Sequence, residues 1–440
     1  MQAPHTKPEG LLARYFKLAE HGTSVRTEVL AGLTTFLTMC YIVIVNPTIL
    51  SNAGMDYGAV FVATCLSAAL GCLVMGLVAN YPVALAPGMG VNAFFTYAIV
   101  KGMGVPWEVA MGAVFITGLL FVAVHFMKVR AAIVDSIPES LKHAIAAGIG
   151  LFLALVALKN AGLVIGNPDT LVKLGDIQSP GVMLAMLGFL LIIVLDFWRV
   201  RGAIIISILV VTAISIGMGL TEFKGIVSSV PSLEPTLMKM NLADAFSFSM
   251  LGVIFVLFVV SLFDSTGTLV AVAQRAGLMK DNKLPRLNKA LSADSAAIVA
   301  GAALGTTPTV AYMESVSGTA VGGRTGLTTV VIALLFMASL WFSPLAASVP
   351  EFATAPALLY VAILMVRGVV DIDWEDMTEA APAFVTIVAM PFTYSIADGV
   401  AFGFLSYTLI KLFTGRAREV KLMVWVVALM WAAKFVFLGA

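Results

Sequence analysis

Charged side chains are scarce in this sequence. Only 12% of its 440 residues are Asp, Glu, Lys or Arg, whereas 60% are hydrophobic and the mean hydropathy is +1.00. A typical soluble domain has about 25% charged residues. A protein of this composition must face lipid over most of its surface, so the sequence predicts an integral membrane protein. The net charge of +1 and the lack of a long basic run give no sign of a nucleic-acid partner.

Patterns typical of enzymes and ATP-driven pumps are also missing. There is no His-Glu-x-x-His motif, no cysteine–histidine metal cluster and no Walker-type phosphate loop. The three cysteines, Cys40, Cys65 and Cys72, lie in apolar stretches and predict no disulfide framework. The first 28 residues are polar, so no cleavable signal peptide is expected. We therefore expect neither an enzyme nor a bound cofactor.

Long apolar runs fill the rest of the chain. About 20 uncharged residues cross the hydrocarbon core as an α-helix. The sequence predicts an all-α polytopic protein with fourteen such segments, near residues 29–50, 59–79, 82–99, 108–127, 141–164, 180–197, 202–220, 246–274, 292–306, 308–323, 325–343, 352–369, 382–397 and 398–415. A last apolar stretch, 421–440, could be a further span, a re-entrant hairpin or a helix lying against the bundle.

Two sets of seven segments indicate a duplication. An odd number of spans per copy inserts the copies in opposite senses and gives an inverted repeat. Pro138-Glu139 at the start of the fifth segment is echoed by Pro350-Glu351 at the start of the twelfth. The predicted organisation is a cytoplasmic segment (1–28), a first repeat (29–220), a periplasmic linker (221–245), a second repeat (246–415) and a C-terminal apolar segment (416–440).

Basic residues set the predicted orientation. Loops rich in Lys and Arg stay in the cytoplasm, and such loops alternate with poorer ones along this chain. The richest loop follows the eighth segment and contains Arg275, Lys280, Lys283, Arg286 and Lys289. The N-terminus is therefore predicted to be cytoplasmic, in a plasma (inner) membrane.

Proline and glycine interrupt the third and tenth segments. The third contains Pro82, Pro87 and Gly88, and the tenth starts at Pro308 and contains Gly318. Interrupted segments at corresponding places in two repeats indicate a binding site near the membrane midplane. The alternative is a pair of ordinary kinked helices in which glycine allows close packing.

Two carboxylates lie deep within predicted spans. Asp264 follows 19 uncharged residues, and no charge lies between Asp294 and Glu314. A charge at the bilayer centre costs about 3 kcal/mol, so each should face a cavity. A buried carboxyl group can exchange protons near neutral pH, and its ionised form accepts two hydrogen bonds from a planar ligand. A structural role, bonding free backbone groups, is the alternative for Asp264. Glu28, by contrast, is expected at the membrane interface.

Several strings together resemble the AzgA-like adenine/guanine/hypoxanthine permeases of the nucleobase–ascorbate transporter superfamily. They are Ala31–Leu37, Ala86–Phe95, Phe263–Leu269, Tyr312–Ser315 and Gly322–Leu327. The resemblance runs from about residue 10 to the C-terminus. It implies two inverted seven-segment repeats that form a core and a gate domain, with short extended stretches in the third and tenth segments.

The resemblance also implies proton-coupled purine uptake, with ligand contacts from the first, third, eighth and tenth segments. The predicted substrate-binding residues are Glu314, Asn92, Ser261, Gly88, Phe94, Ser315 and Tyr41, and the predicted proton-coupling residues are Asp264 and Glu314. At Ser261 many family members have an acidic residue instead. That departure favours adenine, because an oxopurine's ring N–H would profit more from the missing acid.

Two other classes compete with this interpretation. An anion transporter on the same architecture would present helix N-termini and a basic side chain to its ligand, whereas Asp264 and Glu314 are acidic. A membrane-embedded enzyme lacks its usual motifs here. The expected partners are a purine nucleobase, protons and the lipid bilayer, with a homodimer as a further possibility and no nucleic acid.

Overall fold

The structure is a computed structural model that describes residues 10–127, 137–247, 250–279 and 284–437. Its helices are apolar on most faces, as expected of segments that contact lipid or one another. Lys280 and Lys283 of the richest basic loop lie outside the described residues, as do residues 438–440.

The first repeat is helical except for one short strand and one hairpin. Its elements are α2 (Val25–Met39), α3 (Ile42–Ser51), α4 (Tyr57–Val74) with a π-helical end (Met75–Ala79), β1 (Leu85–Pro87), α5 (Met89–Ala93) with a π-helical continuation (Phe94–Gly102), α6 (Trp107–Phe126), α7 (Glu139–Asn160), β2 (Val164–Asn167), β3 (Leu171–Leu174), α8 (Pro180–Phe197) and α9 (Ala203–Gly217). A short helix, α1 (Leu11–Tyr15), precedes it.

The second repeat follows a short helix in the linker, α10 (Leu242–Ala245). Its elements are α11 (Leu251–Arg275), α12 (Leu287–Leu304), β4 (Thr309–Ala311), α13 (Ser315–Ala320), α14 (Gly326–Ser339) with a 3₁₀ turn (Leu340–Phe342), α15 (Ser343–Ala347), α16 (Glu351–Val366) with a 3₁₀ turn (Arg367–Asp371), α17 (Met377–Thr393) and α18 (Ile396–Phe413). A 3₁₀ turn (Ala417–Glu419) and α19 (Leu422–Phe437) complete the described chain.

The number of long apolar helices is that of a multi-pass membrane protein. Within the described residues, nine helices are long and apolar enough to cross a membrane, the first of them formed by α2 and α3 together. The shorter α9 and α17, the less apolar α12 and the two interrupted segments bring the number to the predicted fourteen. The last apolar stretch forms one continuous helix, α19, which packs against α18 and is not a hairpin over its described residues.

The segments pack in two bundles. The core bundle consists of α2 to α6 with α11 to α14, and the gate bundle consists of α7 to α9 with α16 to α18. Each bundle therefore draws its segments from both repeats, as an inverted duplication requires. The predicted extended stretches are confirmed at β1 and β4. The fifth segment ends at Asn160, earlier than expected, because the hairpin β2–β3 begins at Val164.

The surroundings of one charged residue differ from expectation. Glu28 lies in the first turn of α2, at a helix end, but its side chain does not reach water, because it is fully buried in the core bundle. Its carboxylate accepts hydrogen bonds from the backbone N–H groups of Arg324, Thr325 and Thr328 and from the Thr328 hydroxyl, at 2.6–3.3 Å. These donors precede or open α14, so Glu28 caps that helix from another segment.

Candidate substrate site between the two interrupted segments

The two interrupted segments meet through their strands. β1 and β4 pair antiparallel in the register Leu85↔Ala311, Ala86↔Val310 and Pro87↔Thr309. The backbone N–H of Gly88 donates to the Pro308 carbonyl at 3.0 Å, which extends the ladder. Inside a membrane such backbone groups have no water to bond, so each strand satisfies the other.

Gly88 permits the close approach of the two strands. A Cβ atom added at Gly88 would lie 2.9 Å from the Val310 side chain and 3.6 Å from the Asp264 carboxylate. Real Cβ atoms do not come as near as the first of these distances. Gly88 therefore belongs to the predicted site through its backbone, because only a glycine lets β1, β4 and α11 converge there.

Glu314 is held at the tip of β4 by a tyrosine from another segment. The hydroxyl of Tyr41 donates to Glu314 Oε1 at 2.6 Å, across 273 positions in the sequence. Tyr41 lies at the break between α2 and α3 and is only 1% exposed, whereas Glu314 is partly exposed. The structure thus brings together two of the predicted substrate-binding residues, and Tyr41 holds one of the two carboxylate oxygens of Glu314.

Asp264 lies on the neighbouring helix α11 and is also partly exposed. It is within electrostatic range of Glu314 and of Asp294. The next residue, Ser265, donates to Asp294 and accepts the backbone N–H of Ala311 at 3.1 Å, which ties α11 to β4. Neither Asp264 nor Glu314 forms an ion pair with a basic side chain of the described residues.

The elements around the β1–β4 ladder also carry buried neutral polar groups. Asn92 on α5 is fully buried, and its Oδ1 accepts the hydroxyl of Thr307 while its Nδ2 has no partner within the described residues. The hydroxyls of Ser261 and Thr309 are likewise buried without a partner. Buried polar groups in proteins are almost always hydrogen-bonded, so this cluster has bonding capacity for water or a ligand.

The two remaining predicted residues have roles within the protein. The Ser315 hydroxyl accepts the backbone N–H of Ala84 at 3.0 Å and so anchors the start of β1. Phe94 is 1% exposed and belongs to the main apolar core. Sequence reasoning missed Tyr360 of the gate bundle, which lies within electrostatic range of Glu314 and of Tyr41. No motif marked this residue, because its relation to the site depends on how the two bundles pack.

The sequence around this arrangement matches a known protein family. A family model described as a permease family, Xan_ur_permease, matches residues 26–402. The chain belongs to the Xan_ur_permease family. The matched range includes β1, β4, Asp264 and Glu314. Membership of a permease family means that the chain is a transporter and not an enzyme.

Similar permeases cover almost the whole chain. It is 48% identical to adenine permease AdeP of Escherichia coli (strain K12), over 99% of this chain and 98% of that relative. It is 44% identical to guanine/hypoxanthine permease PbuO of Bacillus subtilis (strain 168), over 94% of this chain and 98% of that relative. The resemblance to AzgA-like permeases is thereby confirmed.

A solved structure shares the fold. The transmembrane domain of the cyanobacterial bicarbonate transporter BicA superposes with a TM-score of 0.64, over 86% of this chain and 97% of that one. The two are 16% identical, so this likeness shows the inverted-repeat fold alone. The ligand must be inferred from the residues at the strand tips.

Proposed function

We propose that this protein imports purine nucleobases together with protons across the plasma (inner) membrane, with its N-terminus in the cytoplasm. The observation that carries the proposal is the group at the strand tips. Two partly exposed carboxylates, Asp264 and Glu314, have no basic partner among the described residues, and the buried amide of Asn92 on α5, the helix that follows β1, has an unused donor. Both named relatives are purine permeases.

A purine base matches this set of groups. Its flat ring carries adjacent N–H donors and ring-nitrogen acceptors on one edge. The second carboxylate oxygen of Glu314 can accept an N–H group, and the Asn92 amide has an unused donor. An anion such as bicarbonate would meet two acidic groups that have no basic partner among the described residues, so the alternative class is disfavoured by like-charge repulsion.

Proton coupling follows from the same two acids. Asp264 and Glu314 lie within electrostatic range of each other, so ionising both at once is costly. We assign one proton to this pair in the substrate-accepting state. Release of that proton would restore repulsion and weaken purine binding, so proton and purine would leave together.

Movement of the two bundles would expose the site to each side in turn. The pair lies on core-bundle elements, whereas Tyr360 approaches from α16 of the gate bundle. A shift of the core bundle against α16 would carry the strand tips past the gate while the β1–β4 ladder stays intact. This is alternating access around a fixed site.

Adenine is the base that we favour. Ser261 offers a neutral hydroxyl on α11 one turn before Asp264, so the site has no further acid to accept an oxopurine's ring N–H. Ser261→Asp should therefore extend uptake to guanine and hypoxanthine. Unchanged selectivity in Ser261→Asp, at equal protein level in the membrane, would remove this residue from substrate choice.

The test of the proposal is uptake in purine-transport-deficient cells that express the chain. Radiolabelled adenine, guanine, hypoxanthine, uracil and bicarbonate are supplied in parallel. We expect accumulation of purines alone, and abolition of it by a protonophore. Uptake of uracil or bicarbonate without any purine would overturn the substrate class. Purine uptake that is unchanged by the protonophore, and also unchanged by an imposed pH gradient in vesicles, would overturn the coupling of uptake to protons.

A further inference from the structure

Apart from the group at the strand tips, a cavity lies at the end of the molecule where α3 and α7 have their C-termini. We call this end of the molecule the far end. Its volume is about 310 Å³, and its lining includes Tyr97, Lys101, Lys159, Asn160, Glu351 and Tyr394. That volume is at the lower limit of the ~300–1,000 Å³ that small-molecule pockets occupy. The far-end cavity shares none of its lining residues with the group at the strand tips.

The walls of the far-end cavity come from both bundles. Tyr97 and Lys101 follow α5 in the core bundle, whereas Asn160 ends α7 in the gate bundle. The Asn160 side-chain amide donates to the Tyr97 hydroxyl at 2.9 Å and joins the two bundles there. A ligand in this cavity would therefore contact both moving parts of the transporter.

Tyr394 is held in an unusual backbone conformation at this cavity. It has φ = +55° at the end of α17, in the left-handed region that bulky residues rarely adopt. Its ring packs edge-on against Phe152 with centroids 5.2 Å apart, and its hydroxyl is buried without a partner in the described residues. Strain of this kind persists where surrounding structure imposes it, and it often marks functional sites.

Each of the two tyrosine rings at the cavity has a lysine ammonium group near it, in addition to its packing against the apolar core. Lys101 Nζ lies 5.6 Å from the centre of the Tyr97 ring, and Lys159 Nζ lies 5.4 Å from that of Tyr394. These distances approach the ~6 Å limit of a useful cation–π contact. Neither lysine forms an ion pair with Glu351 or another acid among the described residues. A flat ring could displace the ammonium groups without breaking an ion pair.

We infer that the far-end cavity is a second binding site for a planar nitrogen heterocycle of the class carried at the strand tips. The inference rests on the proposed function for the choice of ligand. The partly exposed ring of Tyr394 supplies a flat face for stacking, and the lysines, Asn160 and Glu351 supply donors and an acceptor for the edge of a purine. During transport, a base would bind in the far-end cavity either before or after it binds at the strand tips.

Equilibrium binding to the purified protein tests the inference. Radiolabelled adenine is titrated against the wild type, Glu314→Gln and Tyr394→Ala, with Phe392→Ala as the matched control on the same helix, since Phe392 is 74% exposed. We expect two classes of sites in the wild type and in Phe392→Ala. Glu314→Gln should lose one class, and Tyr394→Ala should lose the other.

The outcomes separate the two proposals. Loss of all binding in Glu314→Gln, with one class in the wild type, would overturn the far-end site and leave the proposed function standing. Absence of adenine, guanine and hypoxanthine binding in the wild type would overturn both. If Tyr394→Ala fails to fold, Lys101→Cys in the Glu314→Gln background gives a second measurement. The native cysteines are buried, so a thiol reagent should react selectively with the thiol introduced by Lys101→Cys. Slower reaction of this thiol in the presence of adenine would support the far-end site, and an unchanged rate would overturn it.

Discussion

Acidic side chains in the two bundles differ in whether they form ion pairs with basic side chains. In the core bundle, Asp264 and Glu314 have no basic partner among the described residues. At one end of the gate bundle, Lys411 Nζ lies 2.8 Å from both Glu379 and Glu419. A buried charge that only supports structure is normally paired. We therefore connect Asp264 and Glu314 with transport, and Glu379 and Glu419 with stability. Glu28 of the core bundle also has a structural role, because backbone N–H groups take the place of a basic partner at its carboxylate.

The gate-bundle group is built as a closed network. Glu379 also accepts the hydroxyls of Ser140 and Tyr407, and the ammonium of Lys411, itself only 2% exposed, lies 5.6 Å from the centre of the Tyr407 ring. These contacts join the starts of α7 and α17 to the end of α18. The Lys411 ammonium thus has partners within the protein, whereas the Asn92 Nδ2 in the core bundle has none among the described residues.

The largest effect should come from Glu314→Gln. The substitution keeps the shape but removes the charge that we expect to accept the purine N–H, and charged hydrogen bonds contribute about 1.5–3 kcal/mol each. Uptake should therefore fall by about ten- to a hundredfold while the protein level in the membrane is unchanged. Initial rates of radiolabelled adenine uptake give the measurement, and wild-type transport in this variant would remove Glu314 from the site.

Asp264→Asn should separate binding from coupling. Without a second ionisable group beside Glu314, a purine should still bind, but uptake should no longer respond to a pH gradient. The measurement is adenine uptake in vesicles with and without an imposed gradient, alongside equilibrium binding. A variant that still accumulates adenine against its gradient would show that Asp264 does not carry the coupling.

Lys411→Ala should affect stability far more than substrate recognition. Removing one partner of a buried ion pair leaves Glu379 without its counter-charge, at a cost of about 3 kcal/mol. We expect a lower melting temperature in detergent and less protein in the membrane, with an unchanged KM for the protein that remains. A raised KM at normal stability would contradict the structural role of this network.

The smallest effect should come from Asp376→Asn, outside the membrane segments. The backbone N–H of Thr378, then its hydroxyl and then Arg416 hold the Asp376 carboxyl pKa at about 2. Because the folded pKa lies below the ordinary 3.8, the stabilisation is complete above pH 3.8 and is lost only as the pH falls through about 2. The small difference in melting temperature from wild type should therefore be the same at pH 5 and pH 8.

The sequence predicted most of the architecture, because apolar runs and basic loops follow from the physics of the bilayer. Proline and glycine at Pro87, Gly88 and Pro308 were sufficient to find the interrupted segments. The isolated charge in an apolar span was sufficient to find Asp264, and the resemblance marked Asn92 and Asp264 as positions of functional residues in the family. The burial of Glu28 was not foreseen, since its position near a helix start gave no sign that the loop before α14 would fold over it.

Contacts between distant segments were beyond sequence reasoning. The bond from Tyr41 to Glu314 joins residues in different repeats, and no local pattern marks either as the partner of the other. Tyr360 and the far-end cavity depend on how the gate bundle lies against the core bundle. Side-chain spacing within one helix cannot predict such packing, because it reports only the faces of that helix.

The β1–β4 ladder also has a consequence for biosynthesis. Its strands lie more than two hundred residues apart, so β1 has no partner until the chain has been synthesised past Thr309. Until then, extended backbone in the first repeat must bond to water or to the insertion machinery, since lipid offers it nothing. The proposed transport site therefore cannot form before the second repeat has been synthesised as far as β4, and a chain that stops before β4 should be recognised by membrane quality control as unfinished.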